Sequence, residues 1–314
     1  MDPLVFDSLT GLLGLVLLYG GAELLVRGSS ELGLRMKLSP VIVGLTIVSL
    51  ATSMPELVVS LQAVAKGSGD LAIGNVVGSN LANIGLILGV SALIAPLAVD
   101  RFSVRIDAPV MLGFSLLGAF FLWDRRMGAW EGVIMLVLIV AYLVFRVRLA
   151  RRDTAAAAAA AGEVPAVPSW SVLRAVLAVL LGLGLLVIGG DWLVRSGLSV
   201  AERLGVPEAF IALSMVAIGT SLPELATSVV AAARGQAEIA VGNVLGSNIF
   251  NLAGVLGVSS LVSPLTSGDF AFELVMMIAF AVLLLPLARS GFRIVRWEGA
   301  LLLVAYLGVL VWAA

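Results

Sequence analysis

Two copies of one polar stretch stand inside apolar sequence. The first reads LTIVSLATSMPE over residues 45–56 and GNVVGSNLAN over 74–83; the second reads LSMVAIGTSLPE over 213–224 and GNVLGSNIFN over 242–251. Glu56 and Glu224 lie 168 positions apart, as do Thr52 and Thr220, Ser79 and Ser247, and Asn83 and Asn251. A repeat of this length without gaps reflects duplication. Each copy places a carboxylate, hydroxyls and carboxamides where such groups are costly unless they have a task. Glu56 and Thr52 are four apart and share a helix face, as do Ser79 with Asn83 and Ser247 with Asn251. If the copies pack about a pseudo-two-fold axis, these faces converge into an oxygen-only cage with two carboxylates. Oxygen ligands suit hard cations: calcium takes about 6–8 oxygens in flexible geometry. Sodium accepts similar ligands, whereas transition metals favour histidine or cysteine.

Composition sets the surroundings. Of 314 residues 61% are hydrophobic and 12% charged, about half the charged share of a soluble domain. The chain reads as a polytopic membrane protein. It has no cysteine and no histidine, which excludes disulfides, thiolate metal sites, imidazole relays and Ser-His catalysis. A net charge of −1 gives no basic field for nucleic acid. The N-terminus lacks a basic n-region, so the first apolar segment is expected to stay as a helix.

A bilayer core needs about 20 apolar residues per helix. Ten runs qualify, near 8–26, 40–65, 71–95, 104–122, 129–148, 171–194, 208–233, 239–262, 270–288 and 295–313. Backbone groups in lipid must be bonded within a helix or a closed barrel, and no barrel alternation is present, so the expected fold is all-α. The repeat extends to Glu23 with Arg27, matched by Asp191 with Arg195, and to Trp130-Glu131, matched by Trp297-Glu298. The halves are therefore 1–148 and 171–314, five helices each, with polar cores near 40–95 and 208–263. Residues 149–170, which hold seven consecutive alanines and then prolines, form the linker; alanine can extend helix 5 by a turn or two before proline ends it. An odd number of helices per copy inverts the second copy, the plan of many secondary transporters.

Pro55 cannot donate to the carbonyl of Ala51, nor Pro223 to that of Gly219, so each helix should break beside a polar cavity. Fourteen of the 19 basic residues, Arg146 among them, fall on the side holding the central linker. That side should be cytoplasmic, with both termini extracytoplasmic in the inner membrane. Gly74 with Gly78, and Gly242 with Gly246, suit close helix packing. Asp70 and Glu238 suit helix starts, Glu23 and Asp191 a local arginine, and Trp123, Trp130, Trp192 and Trp297 the membrane interfaces.

The paired motifs resemble the α-repeats of the calcium/cation antiporter superfamily, in particular the prokaryotic sodium/calcium exchangers, over nearly the whole chain. The resemblance implies ten helices in two inverted repeats, with broken helices 2, 3, 7 and 8 around a central ion site. It implies that Glu56 and Glu224 bind calcium and sodium in common and that the Thr52 and Thr220 carbonyls complete the calcium site. Ser53, Ser79, Ser221 and Ser247, with the backbone near Ser49 and Ala217, would serve sodium, and Asn83 and Asn251 would line the centre. The implied activity is sodium-driven calcium export by alternating access, helices 1 and 6 sliding past the other eight. Ala51 stands where relatives usually have glycine. Some relatives carry aspartate in place of Asn83 or Asn251, and potassium-dependent members use that acid, which argues against potassium coupling here. A proton-driven calcium antiporter using the same glutamates is the alternative. Intramembrane protease motifs are missing from the sequence, so no enzyme is expected, nor any cofactor, nucleic acid or obligatory protein partner beyond the lipid bilayer.

Overall fold

The structure, a computed structural model, describes residues 3–161, 168–203, 219–266 and 268–313. Among the described residues ten helical rods follow one another: α1 (Pro3–Met36), α2 (Pro40–Ala65), α3 (Gly69–Ile94), α4 (Ser103–Phe121), α5 (Ala129–Ala161), α6 (Val172–Arg203), α7 (Leu222–Ala233), α8 (Ala237–Val262), α9 (Ala271–Arg289) and α10 (Arg296–Ala313). Eight of them are long and apolar enough to cross a membrane. The other two are α7 and α10. The expected seventh span, 208–233, lies partly outside the described residues, and the expected tenth is the 18-residue α10. The fold is that of an all-α, multi-pass membrane protein. One boundary departs from expectation: α5 runs through the alanine run to Ala161. Alanine costs a helix nothing, and the first proline comes only at Pro165.

Burial sorts these rods into a centre and a rim. In α8, 94% of the apolar stretch is buried, against 28% in α5 and α6. The central rods are also the irregular ones. α2 breaks at Ser53 (φ −83°, ψ 4°), between Ser49–Thr52 and Met54–Ala65. The equivalent Ser221, just ahead of α7, has φ −88° and ψ 3°. Both breaks fall where a proline removes one intrahelical donor. α3 and α8 do not break; each loosens into a π-helical segment, Asn83–Leu88 and Asn251–Val255, that opens on the equivalent asparagine. Two more π segments, Gly44–Val48 and Ser103–Asp107, lie in α2 and α4.

The halves interlock at both ends. β1 (Leu97–Ala98), between α3 and α4, pairs antiparallel with β4 (Arg293–Ile294), between α9 and α10. β2 (Arg126–Met127), between α4 and α5, pairs likewise with β3 (Leu265–Thr266), between α8 and α9. β1 and β3 are 168 residues apart, so one pairing is the other turned over, at the opposite end of α4.

At the rim, α1 and α6 form one close antiparallel pair. A Cβ on Gly21 would stand 2.7 Å from the Gly182 carbonyl oxygen, and one on Gly189 2.7 Å from that of Gly14. Lipid tails are as apolar as leucine, so such close packing, rather than exclusion from water, holds membrane helices together. The expected close packing at Gly242 and Gly246 is also present, against the backbone of α2 at Val41 and Leu45; Gly74 meets only the Phe270 ring.

Candidate functional site

Four helices supply the site. Glu56 stands in the first turn after the α2 break and Glu224 in the first turn of α7. Each carboxylate thus sits at a half-helix N-terminus, where free N–H groups and the helix dipole favour negative charge. Both glutamates are fully buried, as are Thr52, Ser53, Ser79, Ser247 and Asn251; Ser49, Ser221 and Asn83 are nearly so, and Thr220 is partly exposed.

The halves exchange partners across the pseudo-axis. Ser53 Oγ donates to Glu224 Oε1 at 3.1 Å, and Ser247 Oγ approaches the same oxygen at 3.5 Å. Conversely, the hydroxyls of Ser79 and Thr220 face the Glu56 carboxylate and lie 3.3 Å from each other. Thr52 Oγ1 does not bond to Glu56 but donates to Asn243 Oδ1 at 3.2 Å, and Thr220 Oγ1 donates to Asn75 Oδ1 at 3.2 Å. Ser49 turns its hydroxyl back to the Leu45 carbonyl at 2.7 Å, so only its backbone faces the break, where its carbonyl accepts Ser53 N–H at 2.9 Å. Ala217 lies outside the described residues.

A second ring of asparagines, to which the motifs alone assign no part, holds the first ring in place. Asn75 Nδ2 donates to Ser60 Oγ at 3.0 Å, and Asn243 Nδ2 to Ser228 Oγ at 3.0 Å. Asn83 Nδ2 donates to Asn248 Oδ1, and Asn251 Nδ2 to Asn80 Oδ1, both at 3.2 Å. Asn248 Nδ2 in turn reaches Met111 Sδ at 3.3 Å, and Asn80 Nδ2 reaches Met277 Sδ at 3.9 Å. The asparagines do carry a signal in the sequence, since they keep the spacing of 168. The two methionines, apolar residues in apolar helices, carry none.

What the network leaves unsatisfied defines its chemistry. Among the described residues, both oxygens of Glu56, Oε2 of Glu224, Oδ1 of Asn83 and Asn251, and Oγ of Ser221 are buried without a hydrogen-bond partner. Every one is an oxygen that can accept. Buried acceptors without partners cost about 1–3 kcal/mol each, and more when charged, so this arrangement asks for cations. No group of three or more His, Cys, Asp or Glu side chains converges among the described residues. The site is oxygen-rich and limited to two carboxylates, which fits calcium or sodium.

Other residues singled out in the sequence stand around it. Asp70 and Glu238 occupy the first turns of α3 and α8. Glu23 pairs with Arg27 and Asp191 with Arg195. Trp123, Trp130 and Trp297 are exposed, and Trp192 is half-buried. Arg146 needs correction. It is not a loop charge but is buried on α5, holding Asp107 of α4 through Nε–Oδ1 (2.5 Å) and Nη2–Oδ2 (2.9 Å). Tyr142 donates to Asp107 Oδ1 at 2.7 Å.

Fold and site together define an all-helical multi-pass membrane protein whose two inverted halves enclose a buried, oxygen-lined polar cluster. The chain belongs to the sodium/calcium exchanger protein family, which matches it twice, over residues 8–148 and 174–314. It is 32% identical to the sodium/calcium exchanger MaX1 of Methanosarcina acetivorans, with 96% of each chain covered. It is 29% identical to the Ca(2+)/H(+) antiporter ChaA of Bacillus subtilis, over 80% of this chain and 77% of that one. Its structure superposes on the sodium–calcium exchanger NCX_Mj with a TM-score of 0.84 at 30% identity, over 99% of this chain and all of the other.

Proposed function

We infer that this protein is a sodium-driven calcium antiporter that exports calcium by alternating access. The observation that carries the reading is the set of buried acceptor oxygens without partners on Glu56, Glu224, Asn83, Asn251 and Ser221. In this reading Glu56 and Glu224 are ligands that calcium and sodium share, and the Thr52 and Thr220 carbonyls complete the calcium site. Ser53, Ser79, Ser221 and Ser247, with the backbone at Ser49 and Ala217, take sodium, and Asn83 and Asn251 line the centre. Two carboxylates neutralise one Ca2+ or hold two or three monovalent ions. An empty site would leave both charges buried in mid-membrane at several kcal/mol each, so the empty carrier resists changing sides. Exchange is thereby obligatory.

The repeats 1–148 and 171–314, joined by 149–170, sit in the inner membrane with the linker on the cytoplasmic side. The excess of basic residues on that side supports this orientation, even with Arg146 removed from the count. The test is calcium-45 uptake into sodium-loaded proteoliposomes diluted into sodium-free or sodium-matched buffer at fixed pH. Uptake that needs the outward sodium gradient is expected. Uptake indifferent to sodium and driven by a proton gradient would instead establish the proton-coupled reading, which the likeness to a Ca(2+)/H(+) antiporter supports.

A further inference from the structure

The two halves repeat a charged joint but do not use it equally. Glu23 with Arg27 on α1 matches Asp191 with Arg195 on α6, and Lys66 after α2 matches Arg234 after α7, all at a spacing of 168. Each acid is bound by the arginine four residues on, at 2.5 Å for Glu23 and 2.8 Å for Asp191. Lys66 and Arg234 cap their helices with nearly the same backbone, φ −92° and ψ 5° against φ −87° and ψ 4°. Each precedes a glycine at positive φ, Gly67 (76°) and Gly235 (74°), which lets the chain turn directly into the next helix.

The symmetry then fails. Arg234 Nη2 forms a second ion pair with Glu23, whose side chain is 17% exposed. Lys66 forms no ion pair among the described residues, and the Asp191 side chain is 48% exposed. Packing agrees: α1 lies along α7, whereas α6 makes no comparable contact with Met54–Ala65, the matching half of α2. Because the repeats are inverted, the two joints lie on opposite membrane faces. One is shut and the other open.

We propose that Glu23–Arg234 and Asp191–Lys66 are reciprocal latches of the exchange cycle. The first holds the basic face shut in this structure. Sliding of α1 and α6 breaks it and forms the second, which shuts the opposite face. This rests on the alternating-access reading above. A reciprocal pair has a physical advantage over a single latch. Breaking one ion pair while making its counterpart keeps the two states close in energy, so bound ions of modest differential affinity can move the balance. Glu23 and Arg234 are only partly buried and Asp191 and Lys66 are exposed, settings in which an ion pair can guide a conformation without trapping it.

The chain has no native cysteine, so introduced pairs report without background. Glu23→Cys with Arg234→Cys, and Asp191→Cys with Lys66→Cys, would each be treated with a short bis-methanethiosulfonate in proteoliposomes during exchange. Both pairs connect opposite halves of the chain. With a protease site placed in the central linker, a cross-link keeps the halves together on a denaturing gel. Both pairs should join the halves, each cross-link should slow exchange at least tenfold, and reductant should restore it, with single-cysteine variants unaffected by the reagent. As a second measurement, Glu23→Arg combined with Arg234→Glu should recover most of the rate lost in Arg234→Glu alone. Failure of the Asp191/Lys66 pair to join the halves, or full exchange by cross-linked protein, overturns the proposal. The gel reads the joints without reference to the ion, so cross-linking of both pairs in a protein that shows no sodium-driven calcium uptake would sustain the latches and defeat only the assignment of the transported ions.

Discussion

Glu56 and Glu224 are alike in sequence and unlike in surroundings. Glu224 receives the Ser53 hydroxyl, while neither oxygen of Glu56 has a hydrogen-bond partner among the described residues. Glu56→Gln and Glu224→Gln should each abolish calcium uptake in the proteoliposome assay, with the protein still folded. Saturating calcium should raise the thermal unfolding midpoint of the native protein and leave that of both variants unmoved, since a ligand at about 100 times its Kd contributes about 2.7 kcal/mol. A calcium-dependent rise in either variant would place the cation elsewhere. One step out, Asn243 bonds both Thr52 and Ser228. Asn243→Ala frees Thr52 to turn away, and the loss of a bond worth about 1 kcal/mol should raise the half-saturating calcium concentration roughly fivefold; calcium titration of initial uptake rates checks it. The glutamates were legible because an acid kept twice at a fixed spacing inside apolar sequence is too costly to stand there without a task. The role of Asn75, Asn80, Asn243 and Asn248 was not, because their partners lie up to 197 residues away in the chain and only the packed halves bring them together.

At the scale of the elements, the α2 and α7 breaks could be read from Pro55 and Pro223, whose effect is local and covalent. The π segments of α3 and α8 could not, because an i→i+5 turn is chosen by packing and has no residue of its own. The same limit hid the link between α4 and α5. An arginine near a helix end reads as a loop charge until the partner helix shows Asp107 beside it. That link also reaches the site: Asp107 lies one turn from Met111, whose sulfur meets Asn248. The matching residues of the other half are Glu273 and Met277, with a buried Glu273 oxygen left unpaired among the described residues. Arg146→Met should strand Asp107 and destabilise the protein by about 3–5 kcal/mol, whereas Arg146→Met with Asp107→Leu should recover most of that loss. Thermal unfolding in detergent measures both. If the single variant is as stable as the native chain, the pair has no structural role.

At the scale of the whole molecule, the sequence showed two inverted halves, and the strand pairings at opposite ends show how they interlock. In the alternating-access reading proposed above, the division that governs movement cuts across those halves. α1 belongs to one and α6 to the other, yet among the described residues each packs far more extensively on its counterpart than on the rest of the bundle. Their seam is a run of glycines seven apart, Gly14, Gly21 and Gly28 on α1 facing Gly189, Gly182 and Ala175 on α6, with backbones in direct contact. Small residues at such a seam gain dispersion contacts that lipid cannot replace, so the pair should move as one body, and a carrier that slides it must keep the seam intact. Gly21→Ile tests this far from the ions. Its Cβ would fall 2.7 Å from the Gly182 oxygen and 2.9 Å from the Leu186 nitrogen, both backbone atoms that cannot turn aside. The variant should bind calcium in detergent with unchanged affinity, because the site lies on α2, α3, α7 and α8. Exchange should fall at least tenfold, because α1 and α6 no longer travel together. Native exchange rates in Gly21→Ile would mean that the two helices move independently; lost calcium binding would mean that the seam supports the site itself.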